Sequence, residues 1–160
     1  MAVVLVTGMS GTGKSTVLTL LAHNGYRTVD TDQGDWIDRT GEPMWREDRI
    51  DELIAQHERS GEPLFIAGTV ANQGAFYARF AEIVLLSAPI DIVLERVASR
   101  TGNPFGKTAE ERNRIIADTR EIEPLLRESA TVEIDTRQPL DAVLDQLAAL
   151  AGAPDLRSST

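Results

Sequence analysis

The chain of 160 residues contains no cysteine. That excludes disulfides and thiolate metal sites, and it fits a cytoplasmic protein. Lysine is nearly absent too: of sixteen cationic residues only Lys14 and Lys107 are lysines. No basic track exists, and the net charge is −9, which argues against a nucleic-acid backbone as partner. No run approaches the roughly 18 apolar residues of a membrane span. The N-terminus enters an apolar stretch almost at once, so no signal peptide is expected. Internal repeats, low-complexity tracts and linkers are missing as well, and the length suits one domain with a real core.

What is present begins with Gly8 to Thr16, GMSGTGKST. It matches G-x-x-x-x-G-K-[ST] without departure. Gly8, Gly11 and Gly13 let the backbone curl so that successive N–H groups, those of Ser10 and Thr12 included, face phosphate oxygens. Lys14 adds a full charge at the β/γ end, and the Ser15 hydroxyl can coordinate Mg²⁺. The flanks fit the motif. Ala2 to Val6 reads as a buried strand, and Val17, Leu18, Leu20 and Leu21 begin a helix whose N-terminus, Ser15 and Thr16 included, faces the phosphates. ATP with Mg²⁺ is the expected ligand.

Four more strands follow, at Tyr26 to Asp30, Pro63 to Gly68, Glu82 to Ala88 and Thr131 to Asp135. Helices are predicted between them, over Met44 to Ser60, near Ala75 to Phe80, after Pro89, after Thr108, and from Leu140 to Leu150. Gly34 to Gly41 reads as a polar loop. Thr108 with Glu111 makes a capping box, and Pro124 should kink or end its helix. Strands alternating with helices imply right-handed βαβ units and a parallel sheet. The expected fold is a three-layer α/β P-loop architecture, with a five-stranded parallel sheet flanked by helices and a short lid. The expected organisation is one domain over 1–152, with a lid at about 100–108, an acceptor-binding segment at about 32–60 and a flexible tail at 153–160.

Ligands on such sheets bind beyond the carboxyl ends of the strands. That places Asp30 and Asp32 beside the phosphate loop, one to serve Mg²⁺ and the other to orient or deprotonate an acceptor hydroxyl. Strand three ends Ile66-Ala67-Gly68 and strand four ends Leu86-Ser87-Ala88, so neither supplies an acid. An Asn-Lys-x-Asp guanine motif is also missing. These absences count against mechanical ATPases and GTPases. Arg96 and Arg100 share a helix face running into the lid, where cations would stabilise the transferring phosphoryl group. Arg100 or Lys107 is expected to reach the phosphates, and Arg96 to pack on adenine. Thr136 to Pro139, Arg137 among them, would border the adenine. Trp45 either walls the pocket or belongs to the core. Asn72 and Gln73 either read acceptor hydroxyls or cap a helix, and His57 reads as a buried histidine on an apolar stripe.

Over roughly residues 2–150 the chain resembles the shikimate kinase branch of the nucleoside-monophosphate-kinase-like P-loop fold. The phosphate loop, Val29-Asp30-Thr31-Asp32, Gly41-Glu42-Pro43-Met44-Trp45-Arg46 and Gly68 carry the resemblance. It implies that Asp30 assists Mg²⁺, that Asp32 orients the acceptor hydroxyl and that Arg46 binds an acceptor carboxylate, with Gly68 and Thr69 on the acceptor side. The sequence departs from the family at three places. Gly68-Thr69-Val70 stands for a triple glycine, Asn103 to Lys107 for an Arg-Pro-Leu-Leu element, and Ile122 for a second substrate arginine. The resemblance thus implies a kinase for a small anionic or polyhydroxylated metabolite, acting as a monomer or weak dimer. A nucleotide or nucleoside kinase and a nucleotide-binding regulatory protein are the alternatives.

Overall fold

The computed structural model describes residues 3–100 and 107–152. Its centre is β1 (Val3–Thr7), five residues buried on both faces. Such a strand must be apolar throughout, as VVLVT nearly is. The chain then forms α1 (Lys14–His23), β2 (Arg27–Asp30), a two-residue pair β3 (Ile37–Asp38) and β4 (Met44–Trp45), and α2 (Glu47–Ser60). β5 (Leu64–Ala67), a 3-10 helix over Gln73–Arg79, β6 (Glu82–Ser87) and α3 (Ile90–Ser99) follow, then α4 (Ala109–Ser129), β7 (Val132–Asp135) and α5 (Leu140–Ala151).

Among the described residues one five-stranded sheet runs in the order β2-β5-β1-β6-β7, and every pairing in it is parallel. Side chains alternate across it. Val4, Val6, Phe65, Val84 and Leu86 pack with Val17, Leu21, Val143 and Leu147 of α1 and α5. Val3, Leu5, Leu64, Ile66 and Ile83 pack on the opposite face with Ile50 and Ile54 of α2 and with Trp45, Phe76 and Phe80. These two apolar layers make the P-loop-type α/β architecture expected from the sequence. No described helix is long and apolar enough to cross a membrane.

Three expectations need correction. The helix predicted from Met44 starts at Glu47 instead. Met44 and Trp45 pair antiparallel with Asp38 and Ile37, inside what reads in sequence as a loop. Asn72 explains the shift: its amide accepts from Trp45 N at 2.8 Å and donates to Trp45 O at 3.0 Å, so a side chain takes the groups a helical ladder would use. The third is Pro124, which lies inside an uninterrupted α4. Both Pro124 and Arg120 are exposed, so the Arg120 carbonyl that loses its helical donor faces water. The capping box of Thr108 and Glu111 forms as expected. The tail at 153–160 and lid residues 101–106 lie outside the described residues.

Candidate active site

The phosphate loop joins the carboxyl end of β1 to the N-terminus of α1. Gly13, in the left-handed region at φ 99°, precedes the first helical residue, Lys14. No acid occupies the first turn of α1 itself, so the positive end of the helix faces the loop without a charge of its own to offset it. Gly11 is required by close approach as well as by its φ of 81°. A Cβ there would lie 2.9 Å from both Val93 and Val97 of α3. The loop is therefore seated directly against α3.

A cavity of about 420 Å³ opens over this loop. Met9, Ser10, Gly11, Gly13, Lys14, Ser15 and Thr16 form one wall, and Asp32, Arg96, Val97 and Arg100 face them. Cations, the loop amides and one carboxylate thus converge on a single space. Lys14 donates from Nζ to the carbonyls of Gly8 and Met9. Burial pulls its pKa below the ordinary lysine value, and Asp32, then Asp30, oppose that shift.

Asp30 and Asp32 diverge. Asp30 accepts from the Ser15 hydroxyl at 2.8 Å and from Asp32 N at 3.1 Å. With Ser15 it lines a separate groove of about 480 Å³ between α1 and β2. Ser15 belongs to both spaces, so a hydroxyl and a carboxylate at their junction offer the hard oxygen pair that suits Mg²⁺. Asp32 lines the cavity itself.

Arg96 bridges the two ends of the site. Its Nη atoms donate to Gly11 O at 3.3 Å, to Thr136 Oγ1 at 2.8 Å and to Thr136 O at 2.8 Å. The guanidinium therefore ties the phosphate loop to the turn after β7. Arg137 turns to Asp135, with Nη2 to Oδ2 at 2.7 Å, and is not part of the cavity wall. That pairing also holds the Asp135 carboxyl below the usual range. Lys107 is exposed.

The residues expected on the acceptor side form a separate assembly. Arg46 donates from Nε to Asp35 at 3.2 Å, and Arg49 reaches the other Asp35 oxygen at 3.1 Å. Trp45 is 2 % exposed and donates from its indole to Thr31 Oγ1 at 3.0 Å, so it is core. Gly68 has no room for a side chain: a Cβ would meet Thr31 Oγ1 at 2.5 Å and Trp45 at 3.1 Å. Thr69 bonds both backbone groups of Gly8. Asn72 and Gln73 are engaged within the protein, and His57 is buried on α2 with Nδ1 at 3.1 Å from Glu62 O. Arg46, Gly68 and Thr69 do not line the phosphate cavity. Sequence reasoning missed Asp35, because an acid between a glycine and a tryptophan in a loop carries no periodic signal. It also missed Val97, an apolar residue of α3 that forms part of the cavity wall.

Solved structures share this fold. A shikimate kinase from Acinetobacter baumannii in complex with shikimate is 20 % identical, with 94 % of this chain and 93 % of that one covered at a TM-score of 0.59. A gluconokinase from Sinorhizobium meliloti is 25 % identical over 94 % and 93 %, at 0.53. A sugar kinase from Janibacter sp. is 19 % identical over 94 % of each chain, at 0.58. No curated protein matches the sequence. Residues 4–124, from β1 through the phosphate loop and the strand ends that face it to Pro124 in α4, match the family described as AAA domain, AAA_18, and the chain belongs to that P-loop family.

Proposed function

We propose that the protein is a kinase that transfers the γ-phosphate of ATP to a hydroxyl of a small metabolite. One observation carries this reading. Asp32 lines the same cavity as Lys14 and the loop glycines, while Asp30 turns away to Ser15. A carboxylate facing the phosphate end, separate from the one placed for Mg²⁺, is what in-line transfer to a hydroxyl requires.

Lys14 and the loop amides would bind the β/γ-phosphates. Ser15 and Asp30 would hold Mg²⁺, which neutralises phosphate charge when bound. Asp32 would orient the acceptor hydroxyl and take its proton. Arg100 and Lys107 would supply positive charge from the lid side, and Arg96 would order the nucleotide end of the cavity. No covalent enzyme intermediate is needed, because positioning and charge neutralisation supply the catalysis. The carboxyl ends of β5 and β6 carry no acid, which speaks for acceptor phosphorylation over mechanical ATP hydrolysis. The related structures titled as shikimate kinase, gluconokinase and sugar kinase support a polyhydroxylated acceptor.

The test is ATP–Mg²⁺ turnover against shikimate, gluconate, other cyclitols, and nucleosides and their monophosphates. ADP formation dependent on one hydroxylated metabolite is expected. Stimulation by nucleosides or nucleoside monophosphates instead would make this a nucleotide or nucleoside kinase, and ATP binding without acceptor-dependent turnover would overturn the kinase reading.

A further inference from the structure

We propose that Thr69 is a positioning residue for the phosphate loop, whose hydroxyl keeps the Gly8 carbonyl bonded and so frees Lys14 to move onto a phosphate. The inference rests on the reading above, in that the loop binds a nucleotide, and it adds a residue from the far side of the site.

Gly8 is buried, and its carbonyl receives two donors: Lys14 Nζ and Thr69 Oγ1, at 2.7 Å. Gly8 N donates back to Thr69 Oγ1 at 3.2 Å. Behind Thr69 stands Thr7, with the two hydroxyl oxygens 3.0 Å apart. Gln73 Nε2 lies 3.2 Å from Thr7 Oγ1.

Val70 N–H can only donate, and it reaches Gln73 Oε1 at 3.0 Å, so the other end of that amide is the donor. Gln73 therefore donates to Thr7. A hydroxyl has one proton, and Thr69 lies closer to the Gly8 carbonyl, at 2.7 Å, than to Thr7, at 3.0 Å. The assignment that serves both contacts has Thr7 donating to Thr69 and Thr69 to Gly8. Each donor in the series Gln73, Thr7, Thr69 points toward one carbonyl oxygen. Thr7 and Gln73 are 1 % and 2 % exposed, so water is a poor substitute there.

Lys14 rests on main-chain carbonyls in this structure. In this proposal it leaves Gly8 when it binds a phosphate, and a buried carbonyl left without a donor is costly. With Thr69 in place the carbonyl keeps its second partner. Without the hydroxyl, phosphate and Gly8 would compete for one ammonium, and binding would weaken.

The test measures tripolyphosphate and ATP binding by calorimetry for the wild type, Thr69→Val, Thr69→Ala, Thr69→Ser, Lys14→Ala and the double variants. Removing the hydroxyl should weaken both ligands roughly fivefold to a hundredfold, whereas Thr69→Ser should stay within about twofold. In the Lys14→Ala background the same removal should change residual binding little, because the competing ammonium is gone. Wild-type affinity in both Thr69→Val and Thr69→Ala would overturn the inference, as would an equal loss with and without Lys14. The alanine variant carries the same test if valine fails to fold. Failure of the wild type to bind either ligand would remove the nucleotide reading itself and this inference with it.

Discussion

Arg46 donates through Nε to the carboxylate of Asp35 at 3.2 Å. Arg49 holds the second oxygen of the same group at 3.1 Å. A carboxylate-bearing acceptor would have to compete with an internal carboxylate for Arg46, and a neutral polyol would not. Asp35→Asn is expected to lower the KM of a carboxylate acceptor by up to roughly fivefold, the scale of an exposed ion pair, and to leave a neutral polyol unaffected. Steady-state kinetics on a matched pair, such as an aldonic acid and its alditol, reads this out. No change for either acceptor would leave Arg46 and Asp35 as a surface pair of no consequence for binding.

The two aspartates after β2 should separate by function. Asp32→Asn should retain ATP binding and lose acceptor-dependent turnover by a factor on the order of 10². Asp30→Asn removes the charge of the group that accepts from the Ser15 hydroxyl and should appear as a higher Mg²⁺ requirement. A Mg²⁺ titration of turnover and a nucleotide titration on both variants distinguish them. Small, equal losses would reduce the pair to a structural turn.

Lys14 gives a pH signature. Burial lowers its pKa from the ordinary 10.5. Burial disfavours the charged amine, so holding Lys14 in the fold opposes folding at every pH below the unfolded value. The opposition fades as pH rises through the lowered folded pKa toward the unfolded one. Lys14→Ala should therefore melt at or above the wild type at neutral pH, and the difference should narrow at alkaline pH. ATP–Mg²⁺ should raise the melting temperature of the wild type only. A variant several degrees less stable at neutral pH would contradict this account.

Gly68 is a packing position. Because a Cβ would clash with Thr31 Oγ1 and press on the Trp45 indole, Gly68→Ala should cost about 1–3 kcal/mol, the range for overpacking. Denaturant unfolding with tryptophan fluorescence measures it, and the Trp45 emission should shift as the indole moves. A neutral substitution would mean that the turn after β5 yields easily.

Much of this was legible in sequence because the signals are local. The phosphate loop has fixed spacing, the three central strands β1, β5 and β6 are nearly continuous apolar runs, and Thr108 and Glu111 stand three apart. What escaped depends on distant partners. Nothing near Met44 shows that Asn72 will seize the Trp45 backbone, so helical periodicity was carried three residues too far. Asn72 and Gln73 carry groups that could serve a ligand, yet the fold uses them internally. Arg137 was placed by topology at the nucleotide side, but an acid two residues earlier claims its guanidinium.

The sheet order bears on how the loop comes into being. β1 lies between β5 and β6, so its neighbours are made only at residues 64–67 and 82–87. The phosphate loop is complete as a sequence by Thr16, yet the Thr69 hydroxyl and the Val93 and Val97 side chains against which it is shaped emerge from the ribosome much later. Loop closure over such separations is slow compared with local helix formation. The first motif synthesised is therefore among the last to acquire its working geometry, and a nascent chain that stops short of α3 should carry the motif without the ability to grip a nucleotide.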